Sequence, residues 1–381
     1  MLSRAFESMS TNAVHRRTLL GSCLLLGLLG WLQHLPASYA DFTFGTGVNQ
    51  FTISTVSIGD LSNTADIETT YTGIGAQSLG AVAYQYEMSK YEITRGMINQ
   101  YNNQNGSDRD VTMYLYTPAD SNDTLYSSNS YVNGDSNQGF KDTLPATGIS
   151  YIEATQFVNW LNTSSGYSAA YNLDTNGQAN WQFWDVNQWA PSDAGYDASD
   201  PYRNANAKFF LMNADEAYKA AFYDTNSTNY FDYTVGSDTA PTSYDGTAGV
   251  FQGTDADKIV KGGNVRYLVE TDQTGGTSQY GVMSLGGSAG DMIETTDGIK
   301  YNLFGGTLAH TSIAETYAHS SSLIKSYNID ATELSSQGFR IVTTLQSPAP
   351  IPEPNTVIAV GLLGIVGFVG NRRRRRHASD T

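Results

Sequence analysis

The segment Phe209–Asp224, FFLMNADEAYKAAFYD, passes from a short apolar run into a helical pattern and carries signals for both. The three residues before Met212 favour a buried strand. Asn213 is a residue type that caps helix N-termini, and Asp215 and Glu216 lie in the first turn, where negative charge favours the helix dipole. Small apolar residues then recur at helical spacing: Ala217, Ala220 and Ala221. The segment therefore predicts a strand, a cap and a helix in immediate succession.

A similar unit lies upstream, in VAYQYEMSKYEITRGMINQYNNQ. The alternation of Val82, Tyr84, Tyr86 and Met88 predicts a strand, and a helical pattern begins at Thr94, a plausible N-cap residue. Residues 41–80 are short alternations with glycine punctuation, which predict strands and turns.

A third unit, GISYIEATQFVNWLNTSSG, predicts a longer helix. Ile152, Phe157, Trp160 and Leu161 share one helical face, and Ser-Ser-Gly is a stop signal. The polar stretch that ends near Lys141 predicts a loop, and the glycine-rich remainder up to residue 345 predicts further strands.

The C-terminus combines three features in immediate succession. Residues 356–370 carry no charge, yet as a helix they would reach only about 22 Å, short of the roughly 30 Å hydrocarbon core of a bilayer. Before this run stands Pro352-Glu353-Pro354, which prevents helix and favours an extended, protease-accessible segment. After it follow five basic residues that favour the cytoplasmic side: Arg372, Arg373, Arg374, Arg375 and Arg376.

In this order and place the three features resemble the PEP-CTERM sorting signal of exported bacterial proteins. The resemblance implies recognition by an exosortase in the membrane, cleavage near Pro352–Pro354, and transfer to the cell envelope or release outside the cell. The final location and the organism stay open. An ordinary tail anchor is the alternative.

The N-terminus predicts export as well. Arg16 and Arg17 precede the apolar run TLLGSCLLLGLLGWL, and ASYA places Ser38 and Ala40 where signal peptidase needs small residues. We expect cleavage after Ala40, a mature start at Asp41, and export by general secretion. The paired arginines make the folded-export route the alternative, although the residues around them fit its pattern poorly.

The exported part is strongly acidic. The whole chain carries a net charge of −16, and because residues 1–40 carry +2 and residues 355–381 carry +4, residues 41–354 carry −22. This charge repels phosphate backbones, so we expect no nucleic acid partner, whereas divalent cations and neutral sugars fit. Cys23, the single cysteine, lies in the signal peptide, so the mature protein has no disulfide.

Six blocks in order resemble the sulfatase-modifying factor family, whose domain is of the formylglycine-generating enzyme type. They are MSKYEITRGMINQY, LPATGISYIEATQFVNWLN, FFLMNADEAYKAAFYD, YGVMSLGGSAGDMIE, LFGGTLAH and QGFRIV. The resemblance implies an α+β fold, the irregular mixed arrangement shared with C-type lectins, rich in loops. It is flanked by short terminal apolar helices.

The resemblance and the terminal signals together predict six regions. They are a signal peptide (1–40), a β-rich extension (41–83), the sulfatase-modifying-factor-like domain (84–345), a Pro-rich linker (346–355), a short transmembrane helix (356–370) and a basic cytoplasmic tail (371–381).

The family's oxidase chemistry requires a pair of cysteines that hold copper, because thiolate is the ligand that selects this metal. This chain has no cysteine after Cys23, so we expect no catalytic residues and no formylglycine formation. A related branch holds iron with histidines, but the mature body offers only His310 and His319. Solvent-exposed or structural roles are expected for both.

Calcium is the cofactor for which the sequence has candidate ligands. In NLDTNGQANWQFWD, Asn172, Asp174, Asn176 and Gly177 have the spacing of an EF-hand loop, although Phe183 replaces its final glutamate. An Asn-Gly turn is the alternative interpretation.

The family resemblance implies a second calcium site at Gly-Asn-Val-Trp-Glu. Ser288 and Asp291 stand here at the Asn and Glu positions of that motif.

The sequence thus predicts a non-catalytic binding domain in an envelope or matrix protein, with a glycan such as exopolysaccharide as partner. Signal peptidase and exosortase are its partners during export. One alternative is a hydrolase or other enzyme on the same fold, which would use acidic residues as paired carboxylates. Its candidates are Glu153, Asp215, Glu216, Asp291 and Glu294. A purely structural biofilm protein is another alternative, and the oligomeric state stays open.

Overall fold

The computed structural model describes most of the chain between residues 39 and 344. The described residues are 39–66, 70–72, 75–105, 111, 142–177, 184–243, 258–259, 270–272, 276–294, 297–305, 324–328 and 337–344.

One antiparallel sheet contains five strands in the order β1-β2-β5-β15-β8. Its strands are β1 (Tyr39–Phe44), β2 (Phe51–Ile58), β5 (Tyr86–Ser89), β8 (Phe209–Leu211) and β15 (Ile341–Thr344). The last strand in sequence, β15, lies between β5 and β8, with Val342 opposite Met88 on one side and Phe210 on the other. The sheet therefore joins both ends of the described chain.

A second sheet has six strands in the order β14-β11-β12-β13-β3-β4. Its strands are β3 (Thr70–Thr72), β4 (Gly75–Gln77), β11 (Gly290–Ile293), β12 (Lys300–Phe304), β13 (Ile324–Asn328) and β14 (Gln337–Phe339). The β11–β14 and β13–β3 pairs are parallel, and the other pairs are antiparallel.

Two small sheets complete the described strands. An antiparallel hairpin joins β6 (Asn172–Asp174) to β7 (Asp185–Asn187), and β9 (Thr242–Ser243) pairs in parallel with β10 (Lys258–Ile259).

The described residues form three α-helices: α1 (Arg95–Asn105), α2 (Tyr151–Ser164) and α3 (Ala214–Phe222). The helix α1 starts after Thr94, whose hydroxyl accepts the Met97 N–H at 3.3 Å. Both α2 and α3 begin with a capping box, in which a polar cap residue and a glutamate three residues later bind each other's backbone N–H. The starts predicted at Thr94 and Asn213 are confirmed.

Aromatic side chains fill the space between α2 and the five-stranded sheet. The Phe157 ring packs 6.1 Å from Phe51 and 5.7 Å from Phe339, and the Phe209 ring packs 5.1 Å from Phe44. Because Phe44 and Phe51 belong to the first two strands, both strands contribute side chains to the main core. The segment assigned to an extension thus shares its sheet with the predicted domain.

The structure confirms a mixed fold of helices and mainly antiparallel sheets. The strand predicted from Val82 to Met88 is shorter in the structure, where β5 begins at Tyr86. Ahead of it the backbone carbonyl of Val82 lies 3.5 Å from the Lys219 ammonium, and the Tyr84 hydroxyl binds Glu216, so both residues are used in contacts with α3.

Candidate functional site

A buried group of interacting polar side chains is centred on Arg203. We call Arg203, Glu216, Glu294, Tyr84 and Tyr171 the Arg203 cluster. The guanidinium lies 3.1 and 3.0 Å from the two carboxylate oxygens of Glu216. On its other side Nε lies 3.0 Å from both oxygens of Glu294, and Nη2 lies 2.7 Å from Glu294 Oε2.

Two tyrosines complete the hydrogen bonding of this cluster. Tyr171 donates to Glu294 Oε1 at 2.6 Å and accepts the Leu211 N–H at 2.7 Å, and Tyr84 donates to Glu216 Oε1 at 2.7 Å. Burial raises the pKa of Glu294 to about 8, although the Arg203 charge and hydrogen bond lower it. The carboxylates are thus held by donors on several sides.

The Arg203 cluster joins parts of the chain that are distant in sequence. Arg203 also donates to the Leu211 carbonyl at 3.0 Å, and its guanidinium lies 4.3 Å from the centre of the Phe210 ring. Glu216 is in addition the capping-box glutamate of α3 and accepts the Asn213 N–H at 2.8 Å. These contacts connect β8, α3 and the end of β11, which is a structural role.

A second buried charge group is centred on Arg340. We call Arg340, Asp291 and Glu92 the Arg340 cluster. Arg340 Nε lies 2.8 Å from Asp291 Oδ2, and Nη1 donates to the Lys90 carbonyl at 3.2 Å. Glu92 Oε1 accepts the Ala289 N–H at 3.3 Å. All three side chains are 1% exposed or less.

The hydrogen bonding of the Arg340 cluster is incomplete among the described protein atoms. Glu92 Oε2, Asp291 Oδ1, Arg340 Nη2 and the neighbouring Ser288 Oγ have no hydrogen-bond partner there. Burial raises the pKa of Glu92 to about 8 and also raises that of Asp291, while Arg340 lowers both. Two acids and one arginine therefore share a region with few donors.

The calcium candidates lie in two different settings. Ser288 and Asp291 are buried, and the Arg340 guanidinium already neutralises the Asp291 carboxylate at the place where a cation would bind. A calcium ion there would face a fixed positive charge, so this donor set does not fit calcium. Among the described residues no group of three or more His, Cys, Asp or Glu side chains is placed to hold a metal.

The other candidates form the β6–β7 hairpin. Asn176 and Gly177 have φ values of 50° and 69°, the left-handed conformation that Asn-Gly turns use. Asp174 Oδ1 accepts the Asn176 N–H at 2.8 Å, and the Asn176 amide donates to Asp185 at 2.9 Å. Asn172 donates to the Gln188 carbonyl at 3.0 Å. These groups bind one another as a turn requires.

The remaining acids predicted as hydrolase candidates have structural partners. Glu153 forms the capping box of α2 with Ser150, and Asp215 accepts the Gly80 N–H at 2.8 Å. Asp291 belongs to the Arg340 cluster, and Glu216 and Glu294 share Arg203. The sequence paired Asp215 with Glu216 and Asp291 with Glu294, whereas the structure brings Glu216 and Glu294, one acid from each pair, together on one guanidinium.

The predicted signals at the two ends are only partly within the described residues. Ala40 and Asp41 lie inside β1. Outside the described residues lie His310, His319, Pro352–Pro354, the apolar run 356–370 and Arg372–Arg376. Within the described residues we find no helix with the length and apolar character needed to cross a bilayer.

Sequence reasoning missed Arg203 and Glu92, because neither lies in a short motif that indicates an ion pair. The QGFRIV block contains Arg340 and could have indicated that this residue matters, but the block does not identify the acid that Arg340 binds.

Comparisons with known proteins leave the family unassigned. No family model matches the sequence, and no curated protein matches it. Solved structures that it resembles include Treponema denticola variable protein 1 (TM-score 0.47, 14% identity, 80% of this chain and 99% of that chain). CarF has a TM-score of 0.44 and 16% identity, over 77% of this chain and 99% of that chain. PvdO from Pseudomonas aeruginosa has a TM-score of 0.44 and 12% identity, over 82% of this chain and 100% of that chain. Likeness at this level assigns neither a family nor a function.

Proposed function

We propose that the chain is an exported protein of the cell envelope or extracellular matrix, sorted by an exosortase, whose body is a non-catalytic binding domain. Its specific fold is proposed to be that of the sulfatase-modifying factors and C-type lectins. The sorting part of the proposal rests on the C-terminal sequence, where a Pro-Glu-Pro, an apolar run and an arginine block follow one another.

The observation that carries the non-catalytic assignment is the use of the acidic residues. A glycosidase needs two carboxylates that face each other across a cleft, one of them free to give a proton and the other free to act as base or nucleophile. Each acid of the hydrolase alternative instead binds an arginine, caps a helix or accepts a backbone N–H. The lack of any cysteine after Cys23 supports the same proposal for the oxidase chemistry.

For the ligand we propose a neutral glycan. The charge of −22 on residues 41–354 disfavours phosphate-rich polymers, and 25 tyrosines in the chain offer planar apolar rings with a hydroxyl group, which suit sugar surfaces. Tyr84 is one such ring at the surface, 37% exposed, and its hydroxyl is held by Glu216.

The binding test is a glycan array probed with the processed protein, with and without calcium. We expect saturable binding to a neutral glycan and no hydrolysis of it. Turnover of a bound glycan that is lost in Glu294→Gln would support the hydrolase alternative. Absence of binding to any glycan would favour a structural matrix protein.

The sorting test uses an exosortase-bearing bacterium and mass spectrometry of the envelope protein. Replacing Pro352, Glu353 and Pro354 by alanine should leave the arginine block attached. Pro348→Ala with Pro350→Ala is the matched control, because it removes two linker prolines and keeps the motif. If most wild-type molecules still end in Arg372–Arg376 and beyond, the processing proposal is wrong.

A further inference from the structure

The predicted leader cleavage site lies within a strand of the fold. β1 spans Tyr39–Phe44 and pairs with β2 so that Ala40 is opposite Thr55 and Asp41 is opposite Ser54. The bond between Ala40 and Asp41 is therefore part of the ladder of the five-stranded sheet, and no linker separates it from the domain.

The carbonyl group of this bond has a specific partner. The buried Thr55 hydroxyl donates to the Ala40 oxygen at 2.8 Å, and it also lies 3.1 Å from Glu87 Oε2. A serine protease must polarise the carbonyl oxygen of the bond it cuts with its own donors. In the folded sheet this oxygen is directed at Thr55, so the protease would have to pull β1 away from β2.

We propose that the leader is removed before β1 joins the sheet, and that the α-ammonium created at Asp41 then lies beside the hydrogen-bonded pair of Thr55 and Glu87. The inference rests on the proposed export and on cleavage after Ala40. In the precursor the polar group beside Thr55 is the Ala40 carbonyl, and in the mature protein it is the Asp41 ammonium.

The position of the new charge follows from covalent geometry. The Asp41 nitrogen is bonded to the Ala40 carbonyl carbon, about 2.3 Å from the oxygen that Thr55 binds, so it lies within about 5 Å of the Thr55 hydroxyl once β1 pairs with β2. Glu87 is 5% exposed, and Lys208 is the charged side chain of a neighbouring element that acts on it. The Lys208 ammonium lies 4.7 Å from the centre of the Phe42 ring.

A cation next to Glu87 is favourable on electrostatic grounds. Burial raises the pKa of Glu87, and the Thr55 hydrogen bond and Lys208 only partly oppose this effect. An α-ammonium favours the charged carboxylate, and the carboxylate favours the charged amine. The exposed carboxylate of Asp41 is the other acid near the new terminus.

The order of events is tested with full-length precursor retained in cells by a block of export. Folded precursor and precursor freshly diluted from urea are given signal peptidase, and the new N-terminus is sequenced over time. We expect the folded form to be cut after Ala40 at least about tenfold more slowly, because cleavage requires local opening. Equal rates would overturn the order proposed here, whereas an unfolded precursor that is not cut at all would contradict the proposed export signal.

Matched variants test whether the Thr55 contact is what slows cleavage of the folded precursor. Thr55→Ala should speed cleavage of the folded precursor. Thr52→Ala lies on the same strand, removes only the exposed 3.1 Å contact with Thr43, and should leave the rate unchanged. Equal protection in both variants would show that the Thr55 contact does not contribute.

The ammonium contact is tested by titrating the α-amine of the mature protein, observed by NMR after labelling with ¹³C-formaldehyde. We expect its pKa to exceed that of the Glu87→Gln variant by at least about 0.5 unit, measured from the usual range of about 7.7–8.0. If Glu87→Gln does not fold, Glu87→Asp withdraws the carboxylate by one methylene and should give an intermediate pKa. Identical α-amine pKa values in wild type and variant would overturn this part.

Discussion

The Arg203 and Arg340 clusters each place a buried guanidinium among acidic side chains, but their hydrogen bonding differs in how complete it is. Arg203 binds two carboxylates and a carbonyl, and both acids have further hydrogen-bond donors. Arg340 binds one carboxylate and a carbonyl, and polar atoms of Glu92, Asp291 and Arg340 itself have no partner among the described protein atoms. A buried ion pair stabilises only when its remaining hydrogen-bonding groups are satisfied. Each cluster contains an acid whose pKa burial raises to about 8, Glu294 in the first and Glu92 in the second, so the clusters differ in how completely their polar atoms are hydrogen-bonded.

The largest effect is expected for Arg203→Leu. The substitution leaves Glu216 and Glu294 buried without their counter-charge, and we expect a loss of about 3–5 kcal/mol in the free energy of unfolding. Urea denaturation of the processed protein measures this loss. Arg203→Lys is the control, because it keeps the charge but not the two-sided geometry, and it should fall in between. A loss below about 1 kcal/mol for Arg203→Leu would contradict the central role of this cluster.

A smaller loss is expected for Arg340→Leu, about 1–3 kcal/mol. Burial already raises the pKa values of Asp291 and Glu92, so both acids can take up protons when Arg340 is absent. The same urea experiment at pH 6 and pH 8 should show the larger loss at pH 8. If Arg340→Leu costs more than Arg203→Leu, the distinction between the two clusters fails.

Glu92→Gln should stabilise the protein at pH 8 by a few degrees in Tm and by clearly less at pH 5. An unfolded glutamate titrates near about 4.3. In the folded protein burial raises the pKa of Glu92 to about 8, so the folded state binds the extra proton between these values. The stability from this proton is fully present below the unfolded pKa and is lost as the pH rises through about 8. A neutral amide at this position removes the loss.

The control for this measurement is Glu216→Gln, which removes charge from a fully paired carboxylate and should lower Tm at both pH values. Glu294 also titrates at a raised pKa in both proteins, so the difference between wild type and Glu92→Gln isolates one group. A gain in Tm that is equal at pH 5 and pH 8 would count against a titrating Glu92.

The smallest effect is expected from calcium. A ligand that binds only the folded state raises Tm by mass action. Arg340 opposes a cation at Asp291, and the hairpin groups near Asp174 bind one another, so we expect millimolar calcium to leave Tm where EDTA sets it. Asp174→Asn is the control. A rise in Tm that this variant abolishes would show that the hairpin binds calcium.

The sequence could predict those parts of the molecule that depend on neighbours along the chain. Asn213 and Glu216 are three residues apart and form the capping box that starts α3, and Thr94 caps α1 for the same local reason. The Asn-Gly turn at Asn176 was one of two interpretations, since turn chemistry and an EF-hand loop use the same residue types.

The parts that could not be predicted depend on pairing across the fold. Arg203 meets Glu216 across 13 residues and Glu294 across 91 residues. Residue type and spacing do not specify such pairs, because any buried acid is a candidate partner for a buried arginine. For the same reason the sequence placed Glu216 in the first turn of a helix but could not predict that it also binds Arg203.

The position of β15 makes the main sheet depend on nearly the whole chain. Ile341–Thr344 lies between β5 and β8, so β8 joins β1, β2 and β5 in one sheet only when residue 344 is present. Pairings this distant in sequence form slowly. If the chain crosses the membrane from its N-terminus, the five-stranded sheet would stay incomplete until the residues just before Pro352 had emerged. Until then the chain could still pass through the membrane in an unfolded state. Under the proposed export, the sheet would then close at about the time the proposed sorting motif reaches the membrane.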